Sequence, residues 1–371
     1  MRWLVLVVVA ACNSGSATPK VEPTQPIAPA PSVTVPALAS ADTATGKQHY
    51  VKLCAPCHGD DLKGYKADHA PSLVNATFQE SATDAFLTQA IVTGRPGTSM
   101  GAYGKAMGGP LDDAAVASLV RYIRSQGTPS LALANVTPGD AQRGAALYNE
   151  YCKTCHGDTA IRGEAIHLAN PTFQKQATDA FLRYAIEKGR PGTKMQAFGA
   201  VMKPEQLDDL VAYVRSFGAG ALVTSKLPPP TGNEPLVLNP KGRDPSFTPR
   251  ENRFVSVDAV AKALADGRKM IIIDARPPSD WMHVHVKGAV SIPYHDPKRL
   301  DDVPLDVVTI AYCACPHHLS GIVVDELVKR GHKRAYVLDE GINAWHYKKY
   351  PVVAAPGVQP PAQDPMAGRA Q

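Results

Sequence analysis

Three short stretches hold most of the chain's reactive side chains: CAPCH at 54–58, CKTCH at 152–156 and YCACPHH at 312–318. In the first two, a pair of thiols one helical turn apart stands directly before an imidazole. Such thiols can form thioethers to the two vinyl groups of one haem, and the imidazole then reaches the iron from the same side. The third stretch has two thiols one residue apart, a proline and two imidazoles. Those groups suit a sulfur nucleophile, a small disulfide or a metal ion.

A haem held this way needs a second axial ligand. A methionine thioether is neutral and soft, favours Fe(II) and raises the potential relative to a second histidine. GRPGTSM ends at Met100 and GRPGTKM at Met195. Met107 and Met202, each seven residues further on, compete with them. Met100 and Met195 are preferred because they hold equivalent places in a repeat: TFQESATDAFLTQAIVTGRPGTSMGAYG (77–104) matches TFQKQATDAFLRYAIEKGRPGTKMQAFG (172–199) without a gap. His49, His69 and His167 do not correspond between copies, so surface or structural roles are expected. Structural zinc or disulfides are the other reading of the cysteine pairs. Zinc needs four ligands in one site, whereas each copy has its own motif and its own methionine.

The elements around these motifs are helical. Gly46 and Gly144 each lie eight residues before the first cysteine of their motif, and Tyr50 and Tyr148 four before it. LDDAAVASLVRYIRS (111–125) and LDDLVAYVRS (207–216) have the apolar spacing of amphipathic helices. Each copy thus resembles a class I cytochrome c, over roughly 42–218. The resemblance implies all-α domains at 45–130 and 138–219. It implies two covalently bound haem c groups, one held by Cys54, Cys57, His58 and Met100, the other by Cys152, Cys155, His156 and Met195. His58, Met100, His156 and Met195 would ligate iron. The glycine and tyrosine would pack on the last helix, against Tyr122 and Tyr213. Pro71 and Leu73 resemble the segment packed on the proximal side, with Pro171 and Phe173 as candidates in the second copy.

A Pro-rich linker is expected at 220–250. After it, KMIIIDAR (269–276), VTIAYC (308–313) and RAYVLDEG (334–341) read as strands, and GIVVDELVKRG (321–331) reads as a helix ending at a glycine. Alternating strands and helices argue for a parallel α/β sheet. IIDARPPSDW, HVKGAVSIP, YCACPHH and VLDEGINAWHYKKYPV together resemble a rhodanese-like domain, at about 251–355. That resemblance makes Cys313 the candidate persulfide nucleophile and gives Asp274 and Arg276 a structural part. The loop departs from the sulfurtransferase pattern at three positions: Pro316 lacks an N–H, His318 stands where arginine is common, and Cys315 lies within the loop. Cys313 carries a persulfide that Cys315 resolves, or the two cysteines form a reversible disulfide, or the loop is inert. A metal site from Cys313, Cys315, His317 and His318 ranks last, since four ligands in six residues strain a tetrahedron.

The remaining cysteine, Cys12, ends MRWLVLVVVAAC. Its apolar run is too short to span a bilayer and resembles a bacterial lipoprotein signal over 1–12, with Cys12 lipidated. Residues 13–44 and 356–371 are expected to be a disordered tether and tail. The expected place is the periplasmic side, anchored by lipid only, at the outer membrane of a Gram-negative cell. A net charge of +5 over 371 residues, without a dense basic block, argues against nucleic acid as a partner. The function expected is electron transfer through two His/Met haems, exchanged with redox partner proteins. It would be coupled to binding or oxidation of a small sulfur compound at Cys313. The alternative is a non-enzymatic dihaem shuttle whose last domain docks a partner or carries sulfane sulfur independently.

Overall fold

The computed structural model describes residues 41–65, 70–218, 225–314 and 317–366. Cys12, His69, Cys315, Pro316, most of the expected tether and the last residues of the expected tail lie outside them.

The first copy consists of α1 (Thr43–Leu53), α2 (Ala55–His58), α3 (Ala76–Ser81), α4 (Asp84–Thr93) and α5 (Asp113–Ser125). α1 starts inside the stretch expected to be tether. Asp42 caps it, accepting from the backbone N–H groups of Ala44 at 3.0 Å and Thr45 at 2.9 Å. α1 crosses α5 at Gly46, where a Cβ would stand 2.0 Å from the Ser118 carbonyl oxygen. Tyr50 fills the space beside this crossing. Its ring lies 5.4 Å from that of Tyr122, and its hydroxyl donates to Gly59 O at 2.6 Å.

The second copy repeats this with α6 (Ala141–Tyr151), α7 (Lys153–His156), α8 (Pro171–Gln176), α9 (Asp179–Lys188) and α10 (Pro204–Ser216). Gly144 meets Asp209 O, and the Tyr148 and Tyr213 rings lie 5.2 Å apart. α10 starts three residues before its apolar motif, because Pro204 at the first helical position is pre-set for helix and needs no N–H partner. The copies pack on each other through α3 and α4 against α9 and α8. The Phe86 and Phe181 rings stack at 5.0 Å between them.

The third region is an α/β layer structure. Its strands are β1 (Phe254–Val255), β2 (Ile271–Asp274), β3 (Val284–Val286), β4 (Val290–Ser291), β5 (Thr309–Tyr312), β6 (Ala335–Leu338) and β7 (Val352–Ala354). Its helices are α11 (Val257–Ala265), α12 (Pro278–Trp281), α13 (His318–Lys329) and α14 (Gly341–Tyr347). Five strands form a parallel sheet in the order β1-β6-β5-β2-β4, and β3 pairs antiparallel with β7. β2 and β5 are buried along their whole length, as a strand covered on both faces must be.

The segments expected as a Pro-rich linker and a disordered tail both make fixed contacts among the described residues. In the linker, Leu238 and Met270 exchange backbone hydrogen bonds at 2.8 and 3.2 Å, and Glu234 pairs with Arg299 at 2.8 Å. In the tail, Val358 and Met366 pack on the sheet domain's core, and Gln363 donates to Arg162 O at 2.9 Å. Apolar side chains among the prolines hold both segments. Among the described residues, no helix is long and apolar enough to cross a membrane.

Candidate haem sites and sulfur loop

α1 ends where the first C-x-x-C-H turn begins. Cys57 and His58 donate their backbone N–H to Cys54 O at 3.1 and 2.8 Å, so the two thiols sit one turn apart. Gly59, at φ +77°, then reverses the chain. His58 Nδ1 lies 3.1 Å from Pro71 O. A carbonyl only accepts, so Nδ1 carries the hydrogen and Nε2 keeps the lone pair suited to iron. Desolvation pushes the Cys54 thiol up to about 12 and the Cys152 thiol up to about 11. Both environments therefore oppose a free thiolate and suit a neutral thioether.

The second turn has the same hydrogen bonds, and His156 Nδ1 lies 2.9 Å from Ile166 O. This corrects the expectation for Pro171 and Phe173. Those residues open α8 and correspond to Ala76 and Phe78, whereas Ile166 and Leu168 correspond to Pro71 and Leu73. Gln79 bonds Leu73 O, and Gln174 donates to Leu168 O at 2.7 Å, which fixes the register. The offset between copies falls from 98 at Cys54 and Cys152 to 95 at Thr77 and Thr172, so the first copy is three residues longer in between.

Met100 and Met195 end loops closed by the same hydrogen bonds. Arg95 N donates to Met100 O and Arg190 N to Met195 O, both at 2.8 Å. Thr98 and Thr193 each brace the interior of their loop, accepting from the methionine N–H at 3.1 Å. Gly97 and Gly192 turn each loop at φ +79°. Met107 lies apart, with Lys226 Nζ 3.7 Å from its sulfur, and Met202 is buried. His167 Nε2 lies 2.7 Å from Asp158 O. The thiol pair, the oriented imidazole and the braced methionine loop of each copy fit a covalently bound haem c.

Cys313 directly follows β5 and is 1% exposed. Its sulfur lies 3.4 Å from Ser320 Oγ in the first turn of α13, and its carbonyl accepts from Ile342 N at 3.0 Å. His317 takes φ +77°, and its Nε2 lies 2.7 Å from Asp339 O and 2.9 Å from Asp339 Oδ1. Below the loop, Arg276 bonds both oxygens of Asp274, at 2.9 and 2.7 Å, and Tyr312 donates to the same carboxylate at 2.9 Å. Burial opposes the charge on Arg276, but the Asp274 carboxylate outweighs it and keeps the guanidinium protonated.

The C-terminal edge of the parallel sheet, where α/β folds place their sites, rests on the first copy. α13 packs against α2, and the His318 ring meets that of Tyr65 edge-on at 5.4 Å. Tyr65 belongs to the stretch that is longer in this copy. Tyr294 donates to Ala275 O through its backbone at 2.9 Å and to Leu53 O through its hydroxyl at 2.7 Å. Ser279 donates to Ala102 O at 2.6 Å. The matching face of the second copy is a cavity of about 320 Å³ lined by Leu147, Tyr151, Phe198, Val201 and Met202. Tyr151, Phe198 and Met202 there correspond to Leu53, Tyr103 and Met107.

A family model described as "Cytochrome C oxidase, cbb3-type, subunit III" matches residues 41–123 and 139–214, and a rhodanese-like domain model matches 256–348. Among curated proteins, the "Cbb3-type cytochrome c oxidase subunit FixP" of Azorhizobium caulinodans is 31% identical over 194 residues, covering 50% of this chain and 63% of the relative. The "Cytochrome bc1 complex cytochrome c subunit" of Mycobacterium tuberculosis is 26% identical over 227 residues, covering 57% and 74%. The chain spans less than two thirds of the FixP relative. Among solved structures, a rhodanese-like domain from Anabaena is 21% identical with a TM-score of 0.27, covering 28% of this chain and 80% of that one.

Proposed function

This chain joins two cytochrome c domains, with covalently bound haem c, to a rhodanese-like domain, and we propose that the third domain oxidises a small sulfur compound and supplies the first two with electrons. Each bound haem supplies a one-electron Fe(III)/Fe(II) couple. At Cys313, the thiol and a hydrosulfide ion join through an S–S bond. The step leaves a persulfide anion and releases two protons and two electrons. Two such couples, held by Cys54, Cys57 and His58 and by Cys152, Cys155 and His156, would balance one bond formed per chain. Cys315 would accept the outer sulfur or release it.

The observation that carries this reading is the seat of the sulfur loop. The helix that follows Cys313 packs on the helix that holds Cys57 and His58. A domain that only docked an outside partner would have no need to present this edge to its own haem motif. In the same reading Cys12 is lipidated, the chain lies on the periplasmic side of a membrane, and it passes electrons to a redox protein.

The test is to mix oxidised protein with sulfide and follow haem reduction. Wild type should be reduced and Cys313→Ser should not. If Cys313→Ser is reduced as fast, the route through Cys313 is wrong. The shuttle reading gains if a chain ending at 249 also keeps full electron transfer. Mass spectrometry after sulfide treatment should find an added sulfur atom on Cys313.

A further inference from the structure

The two copies hold each other's methionine loops. Asn75 stands just before α3 and caps it, its Oδ1 accepting from Phe78 N at 3.2 Å. Its Nδ2 donates across the interface to Pro191 O, inside the loop that ends at Met195, at 2.9 Å. Asn170 does the same in reverse. Its Oδ1 caps α8, accepting from Thr172 N and Phe173 N at 3.1 Å each, and its Nδ2 donates to Pro96 O, inside the loop that ends at Met100, at 2.9 Å.

Other bonds follow the same exchange. Thr77 donates to Gly189 O at 2.7 Å, beside the second loop. Gln176 donates to Thr93 at 2.9 Å and accepts from Arg95, beside the first. Arg95 lies over the Phe86 ring at 5.3 Å and Arg190 over the Phe181 ring at 5.4 Å, with those two rings stacked between. Each loop is thus closed on itself by its own copy and pinned by the other.

We propose that Asn75 is a positioning residue for the methionine of the second haem, and Asn170 for the methionine of the first. The proposal rests on Met100 and Met195 as the axial ligands. A methionine bond to iron is weak enough to be displaced, so the loop that carries it sets how firmly it stays. A loop pinned from across the interface ties each haem's ligation to the fold of its neighbour.

The asparagine's two atoms do separate work, so they can be separated. Asn75→Ser and Asn170→Ser keep a capping oxygen and lose the cross-interface N–H. Both are made in the full chain. The readout is the set of methionine methyl signals of the reduced haems in proton NMR, assigned with Met100→His and Met195→His, together with imidazole binding to each ferric haem. Asn75→Ser should shift or broaden the Met195 signal and tighten imidazole binding at the second haem by roughly fivefold, the size of one lost hydrogen bond. The first haem should not change. Asn170→Ser should show the converse. A purely structural role would disturb the substituted copy, and changes confined to that copy overturn the proposal, as does no change in either. Wild type without two methionine signals overturns the ligand assignment as well, which separates the two failures. Asn75→Asp, which also keeps the cap and lacks the donor, serves if the serine variant does not fold.

Discussion

The Tyr294 and Tyr103 hydroxyls meet at 3.2 Å, across the boundary between the sheet domain and the first cytochrome copy. Both side chains are buried there. Tyr294 also holds Leu53 O, the carbonyl just before Cys54. Tyr294→Phe therefore leaves a backbone acceptor without its donor, and should cost about 1–3 kcal/mol in a denaturant titration. Tyr103→Phe gives the first copy the ring that the second already has at Phe198. It leaves the Leu53 bond in place and should cost less, about 1 kcal/mol. Equal losses in the two variants would argue against this assignment of the bonds.

Gly46 and Gly144 are sites of close helix approach. A methyl at either would press on a backbone oxygen, which cannot swing aside as a side chain can. Gly46→Ala and Gly144→Ala should each lower stability by about 1–3 kcal/mol or more, through forced separation of the first and last helices. Thermal unfolding followed by circular dichroism would measure this. A Tm within a degree of wild type would contradict the packing.

Asp280 gives a pH signature. Its carboxylate faces Gly101 of the first copy, and a Cβ on that glycine would lie 2.5 Å from it. Desolvation raises its pKa to about 6, with Arg276 opposing and Asp274 adding. The folded protein thus binds this proton more tightly than the unfolded chain. Stability contributed by the neutral form is present at low pH and is lost as pH rises from about 4 to about 6. Asp280→Asn should match wild type near pH 4 and exceed it at pH 8 by about 1–3 kcal/mol. Urea titrations at both pH values check the sign.

Two haems per chain are expected in a pyridine haemochrome assay. Met100→His and Met195→His should each lower the potential of one haem and leave the other nearly unchanged, since a second imidazole favours Fe(III) relative to a thioether. Potentiometric titration of the full chain reads both. If substitution of Met107 or Met202 has that effect instead, the ligands lie seven residues further on.

The covalent chemistry was legible from the start because it needs fixed residue types at fixed spacing. C-x-x-C-H, the paired methionines, and the glycine and tyrosine of the first helix all have such signatures. Gly46 at α5 and Tyr50 against Tyr122 occupy the places that the resemblance to class I cytochromes c implied. The partner of His156 was hidden for the opposite reason. A backbone carbonyl supplies it, and Ile166 provides one as well as Pro71 does. Following the proline led to Pro171, which opens a helix instead. The asparagine clasp had a signal that went unread: an asparagine stands two residues before the matched threonine in both copies, at 75 and 170. Its cap role is local, but its second bond crosses an interface that no single stretch encodes. The contact between the Cys313 loop and the first haem motif is hidden in the same way, since it joins residues more than 250 positions apart.

The cavity on the second copy, which no described residue of the sheet domain lines, has a further meaning. In the first copy the corresponding face belongs to the chain itself, closed by Tyr294, Ser279 and Asp280. In the second, Tyr151 is 47% and Val201 71% exposed. Two copies with one blueprint thereby differ in one face, covered in the first and exposed in the second among the described residues. The order of the three domains in space therefore differs from their order along the chain: the sheet domain, last in sequence, covers the first copy and leaves this face of the second exposed.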